Sequence, residues 1–178
     1  MKICVVVGNP KPESRTLALG QALATAIAGD HGDDIASIDL AEHTEHIFEW
    51  PSGHMAELGE RAASTDLLII GSPTYKATYT GLLKSFLDRY PALGLRNVPS
   101  IPLMTGADKG HAMAPDAHLR PLLVELGAIV PTRSLYFETP QMDRMSEIVD
   151  QWVEENSIAL GIIRRNASEA PSTEEALR

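Results

Sequence analysis

Residues 2–19 read KICVVVGNPKPESRTLAL, and they hold a strand, a loop and the start of a helix. Ile3–Val7 is apolar without alternation, the pattern of a strand covered on both faces. Further on, Leu19, Leu23, Ala26 and Ile27 recur at i, i+4, i+7 and i+8, one face of a helix, and Gly29 offers a stop. The loop between them, GNPKPESRT (residues 8–16), carries Lys11, Arg15, the hydroxyls of Ser14 and Thr16, Gly8 and two prolines, in a chain of formal net charge −9. A solvated turn needs none of this, and a loop that binds an anion needs most of it.

The pattern repeats along the chain. Strands are predicted at Ile35–Leu40, Leu67–Ile70, Ile101–Met104, and Ile129–Val130 followed by Leu135–Phe137. Apolar stripes predict helices over His54–Ala63, over Leu82–Tyr90 ended by Pro91, over Leu119–Leu126 ended by Gly127, and over Met145–Val153. Strands alternating with helices read as an α/β domain with helices on both faces of a parallel sheet. The expected domain runs over residues 1–164, with residues 165–178 as a polar tail that a neighbouring subunit could hold. At 178 residues the chain is long enough for one full core. Its acidity argues against a nucleic-acid or anionic-membrane surface, both of which need a basic face. No apolar run approaches the ~18 residues of a membrane span. No basic, apolar leader precedes the first strand, so no secretory signal is expected. The single cysteine, Cys4, has no partner for an internal disulfide, reads as a small buried hydrophobe and fits a reducing cytoplasm.

Five parallel strands with right-handed crossovers most often take the flavodoxin-like order 2-1-3-4-5, a three-layer sandwich. The first and third strands are then neighbours at a switch point, and ligands bind outside the carboxyl ends of such strands. The loop after the third strand therefore faces GNPKPESRT. It reads GSPTYKATYTGLLK (residues 71–84) and supplies Tyr75, Tyr79 and nearby threonines. The first loop is neither a dinucleotide fingerprint, which needs G-x-G-x-x-G, nor a P-loop, which ends in G-K-[ST]. Asp39 imitates a ribose-binding acid, but the glycines that go with one are missing. What remains is a helix N-terminus capped by Ser14 and Thr16, where free N–H groups hold a phosphate and Lys11 or Arg15 adds charge-assisted bonds. On this loop alone, a plain helix cap with surface charges is equally open. The second loop and its position favour a ligand with a phosphate and a flat ring.

GNPKPESRT, SPTYKATYTGLLKSFLD after the third strand and HLRPLLVELGA before the fifth together resemble the NADPH-dependent FMN reductases, over roughly the first 137 residues. The family includes reductases that supply reduced flavin to two-component sulfonate monooxygenases. The resemblance implies FMN and NADPH or NADH as cofactors, hydride transfer between them, a monooxygenase partner, and a homodimer or homotetramer with the helix Gly81–Tyr90 at a subunit contact. It places Ser14, Arg15 and Thr16 on the FMN phosphate, with Asn9 beside them. Pro73, Thr74, Tyr75, Lys76 and Tyr79 fall along the isoalloxazine, and Thr105 and Gly106 at its pyrimidine side. Where the family often has T-G-G, this chain has Thr105-Gly106-Ala107-Asp108-Lys109. Two-component members carry an extra residue in the next helix, associated with a π-turn, and His118 occupies that place.

The flavin chemistry asks for no side chain as acid, base or nucleophile, so the candidates are binding residues. His111 either touches the ligand or caps the next helix. His43, His46 and His54 fit no standard metal spacing and read as a solvated loop. Trp50 reads equally as a surface aromatic near the ligand mouth or as an interface residue, Tyr90 as core or interface, and Glu154, Glu155, Arg164 and Arg165 as solvated helix positions. Two other readings stay open: an FMN-containing quinone, azo or nitro reductase, and a non-enzymatic electron carrier.

Overall fold

The computed structural model describes residues 1–169. Five strands form one sheet in the order β2-β1-β3-β4-β5, every neighbouring pair parallel. They are β1 (Lys2–Val7), β2 (Asp34–Asp39), β3 (Leu67–Pro73), β4 (Ser100–Gly106) and β5 (Leu135–Glu138). The helices are α1 (Arg15–Ala28), α2 (Gly53–Ala63), α3 (Gly81–Leu87), α4 (Arg120–Glu125), α5 (Met145–Glu155) and α6 (Ser157–Glu169). The expected order and three-layer architecture are therefore present. No helix among the described residues is long and apolar enough to cross a membrane.

Strand alternation feeds two cores. Cys4, Val6, Leu68, Ile70 and Met104 face α2, α3 and α4, while Ile3, Val5, Val7, Leu67, Ile69, Ile101 and Leu103 face α1, α5 and α6. Burial pushes the Cys4 thiol up to about 11, so it is a neutral core group, as expected.

Four expected boundaries change. Ile129–Val130 is not part of β5; Ile129 makes one bridge, to Pro99. Pro131 lacks an N–H, and the Arg120 guanidinium takes the carbonyls of Val130 (3.0 Å) and Thr132 (2.8 Å), which are then lost to a ladder. The third apolar stripe opens as a π-helical turn over Pro115–Leu119 before becoming α4. α3 ends at Leu87, and the chain tightens into a three-residue turn up to Tyr90. Finally, the last helix, α6, runs across the expected domain boundary at residue 164. Arg164 is not a solvated position, because it meets Asp33 at 2.7 Å, and the Met1 amine reaches the same carboxylate at 2.9 Å. The rest of the expected tail, residues 170–178, lies outside the described residues.

Candidate functional site

The carboxyl ends of β1, β3 and β4 open onto a cavity of about 360 Å³, a size typical of small-molecule sites. Asn9, Lys11, Ser14, Arg15 and Thr16 line it from the first loop. Pro73, Thr74 and Tyr75 line it after β3, Thr105, Gly106 and Ala107 after β4, and Thr139 after β5.

The first wall is the N-terminus of α1. Ser14 is its cap, with an extended backbone and an Oγ that accepts from Leu17 N at 3.2 Å. The Arg15 and Thr16 amides lie in the first turn and have no intrahelical acceptor. Lys11 and Arg15 are exposed and form no ion pair among the described residues. The loop is held in place from outside. Asp39 accepts from Glu13 N at 3.1 Å and from Ala41 N at 3.2 Å, which gives this carboxylate a structural task. Glu13 adopts φ 49° and also lines the cavity.

The floor is a hydroxyl network. Thr16 Oγ1 and Thr105 Oγ1 lie 2.7 Å apart, and Asn9 Nδ2 donates to Thr16 at 3.3 Å. All three residues are buried, so α1 is pinned to the end of β4. Opposite, Thr74 N donates to Thr105 O at 2.7 Å. Thr74 Oγ1 is enclosed and has no hydrogen-bond partner among the described residues. Tyr75 and Thr78 exchange backbone hydrogen bonds (2.9 and 3.2 Å) around Lys76 and Ala77, at φ 52° and 68°. Two successive positive φ values make this a tight hairpin turn, and it presents Tyr75 half-exposed at the rim.

Three expected residues stand apart from the lining. Lys76 is exposed at the turn tip, and Tyr79 packs against the core beside α3. His111 is exposed at the end of a short turn, Lys109–His111, that Asp108 caps through Gly110 N at 2.7 Å. Where the family often has its second glycine, this chain places Ala107 in the lining, and Asp108 just beyond it closes its own turn. His118 is exposed within the π-turn and does not line the cavity. Trp50 also lies away from it, 70% exposed, with the Arg89 guanidinium 4.4 Å from its ring centroid. Glu13 and Thr139 also line the cavity, and neither is among the residues expected there. Thr139 had one available signal, its place just beyond the end of a parallel strand.

His43 and His54 touch ring to ring, Nδ1 to Nε2 at 3.0 Å, while His46 pairs with Glu49 at 3.1 Å. Burial, followed by the neighbouring His54, holds the His43 pKa below its ordinary value. No group of three such residues is arranged to hold a metal ion among the described residues.

A family model described as NADPH-dependent FMN reductase matches residues 1–140. The NADH-dependent FMN reductase SfnF of Pseudomonas putida is 32% identical over 165 residues, covering 81% of each chain. An FMN reductase (NADPH) of Escherichia coli K12 is 41% identical over 133 residues, 72% of this chain and 68% of that one. Among solved structures, the apo form of an NADH:FMN oxidoreductase (EMOB) superposes with a TM-score of 0.73 at 25% identity, covering 86% of this chain and 89% of that one.

Proposed function

From the premise that this chain belongs to the NADPH-dependent FMN reductase family, we propose that the cavity at the ends of β1, β3 and β4 is where it binds FMN for reduction by NAD(P)H. The enzyme is an oxidoreductase, and FMN, when bound, supplies the hydride-accepting chemistry. The chain binds, orients and shields. The α1 amides with Ser14, Arg15, Thr16 and Lys11 suit the phosphate. Pro73, Thr74, Tyr75, Gly106 and Ala107 suit the ring, and the unpartnered Thr74 hydroxyl is a hydrogen-bonding group that such a ring can satisfy. The lining charges (Lys11, Glu13 and Arg15) all come from the first loop. The ring end therefore offers no strong acid or base, in keeping with a reaction that needs none. A homodimer or homotetramer and delivery of reduced flavin to a monooxygenase are part of the same reading, supported by the resemblance of the loops, and cytoplasmic residence is supported by the single buried cysteine.

The observation that carries this reading is the meeting of an unpaired, cationic helix N-terminus with the Pro73–Tyr75 wall in one cavity. The test is fluorescence titration of the protein with FMN and with riboflavin, which lacks the phosphate. Arg15→Ala should weaken FMN binding by at least roughly tenfold, since a charged hydrogen bond is worth about 1.5–3 kcal/mol, and should leave riboflavin binding unchanged. Equal loss for both ligands, or for neither, sinks the phosphate assignment. NAD(P)H oxidation with free FMN, with a quinone and with an azo dye then decides the acceptor.

A further inference from the structure

The cavity wall after β4 has no strand beside it beyond Gly106, and its path is set by a residue of the neighbouring strand. Tyr136 pairs with Met104 in the β4–β5 register, and both face the core under α2, α3 and α4. Two residues on, Gly106 returns to that face with no side chain. The phenol leans up the strand into this lane: a Cβ at Gly106 would lie 1.8 Å from Tyr136 Oη and 2.7 Å from Cζ. From there the hydroxyl donates to Asp108 O at 2.6 Å. The Asp108 carboxylate in turn holds Gly110 N at 2.7 Å. Tyr136 thus fixes the carbonyl, and the side chain of the same aspartate fixes the turn that follows. Burial, then Asp108 and Glu138, raise the phenol pKa, so Tyr136 stays a donor at neutral pH.

We propose that Tyr136 is the positioning residue of the flavin cavity: seated in the lane left by Gly106 and bonded to Asp108, it holds residues 106–110 in the conformation that receives the ring. The proposal rests on the flavin reading above. Tyr136→Phe keeps the ring and removes only the donor. Two readouts apply: FMN affinity by flavin-fluorescence quenching, and amide hydrogen exchange of the flavin-free protein. FMN binding should weaken about fivefold, the loss of one neutral hydrogen bond. Exchange at residues 107–111 should quicken while β1 and α1 stay protected. In turnover the FMN KM should rise at unchanged kcat. A second pair guards against a general loss of structure: Gly106→Ala should cost FMN affinity in the native background and markedly less with Tyr136→Ala, which vacates the lane. Unchanged exchange and affinity in Tyr136→Phe, or an equal cost of Gly106→Ala in both backgrounds, overturns the proposal. A native protein that does not quench flavin at all overturns the flavin reading itself, while a native protein that binds and a Tyr136→Phe variant that binds equally well sinks only the positioning role.

Discussion

Asp33 has 2% of its side-chain surface exposed, a burial that a carboxylate tolerates only beside positive charge. It has two such neighbours, Arg164 from the last helix and the amine of Met1. The Arg164 hydrogen bonds, the largest cause, hold its pKa below the ordinary carboxylate range against the opposing push of burial. A depressed carboxylate pKa contributes stability above the unfolded value and loses it as the pH falls through the folded one. Asp33→Asn should therefore lower the melting temperature by about 5 °C at pH 7, and the gap from the native protein should close below about pH 4. Calorimetry at both pH values checks this, and a gap of constant size would mean that packing, not charge, is what the variant loses. Gly8 has an equally local reason for its identity. A Cβ there would lie 2.4 Å from Leu83 Cβ, and the Gly8 carbonyl accepts from the Thr80 hydroxyl that caps α3. The glycine permits α3 to pack against the end of β1, a contact that the charge of its loop does not announce.

Among the elements, β1, β3 and α1 are legible in the sequence because their buried positions are local and periodic, and SPTYKATYTGLLK marks its loop by residue type. The limits of β5 and α6 are set elsewhere. Val130 is kept out of the ladder by Arg120, ten residues earlier. In α6 only Ile163 is fully buried, while Ile158 and Ile162 are 82% and 46% exposed, so the apolar pattern is diffuse. Thr139 and Tyr136 reach the site through strand register, which residue type does not encode. The π-turn at Pro115–Leu119 bears on turnover. Its five-residue hydrogen bond from Arg120 N to Pro115 O widens the helix beside the cavity wall, and its outward residue, His118, does not line the cavity. With no aromatic cover from this element, FMN should exchange during turnover. Protein purified without added flavin should emerge from gel filtration colourless, and added FMN should raise NAD(P)H oxidation in a saturable way. A yellow protein with stoichiometric FMN and a rate indifferent to added flavin would mark the flavin as resident.

Across the whole molecule, a net charge of −9 surrounds a cavity whose free cations are Lys11 and Arg15. Both are exposed, so their attraction for a phosphate is screened over about 10 Å at 0.1 M salt. Raising salt from roughly 20 mM to 500 mM should weaken FMN binding about three- to tenfold and riboflavin binding little. Equal salt dependence for the two, by fluorescence titration, would remove the cations from the account. Assembly belongs to this scale as well. Leu83, Phe86 and Leu87 of α3 are spent on the chain's own core, and the face that remains carries Lys84, Ser85 and Asp88. If subunits meet along α3, as the resemblance implies, they meet through polar groups there. The ion pair between the Met1 amine and Asp33 has a practical bearing on anyone producing the protein. An affinity handle fused ahead of Met1 turns that amine into an uncharged amide and takes one of two cations from the Asp33 carboxylate, whereas the same handle behind residue 178 leaves both cations in place. The front-tagged protein should melt lower than the rear-tagged one, and cleaving the handle back to Met1 should restore the difference.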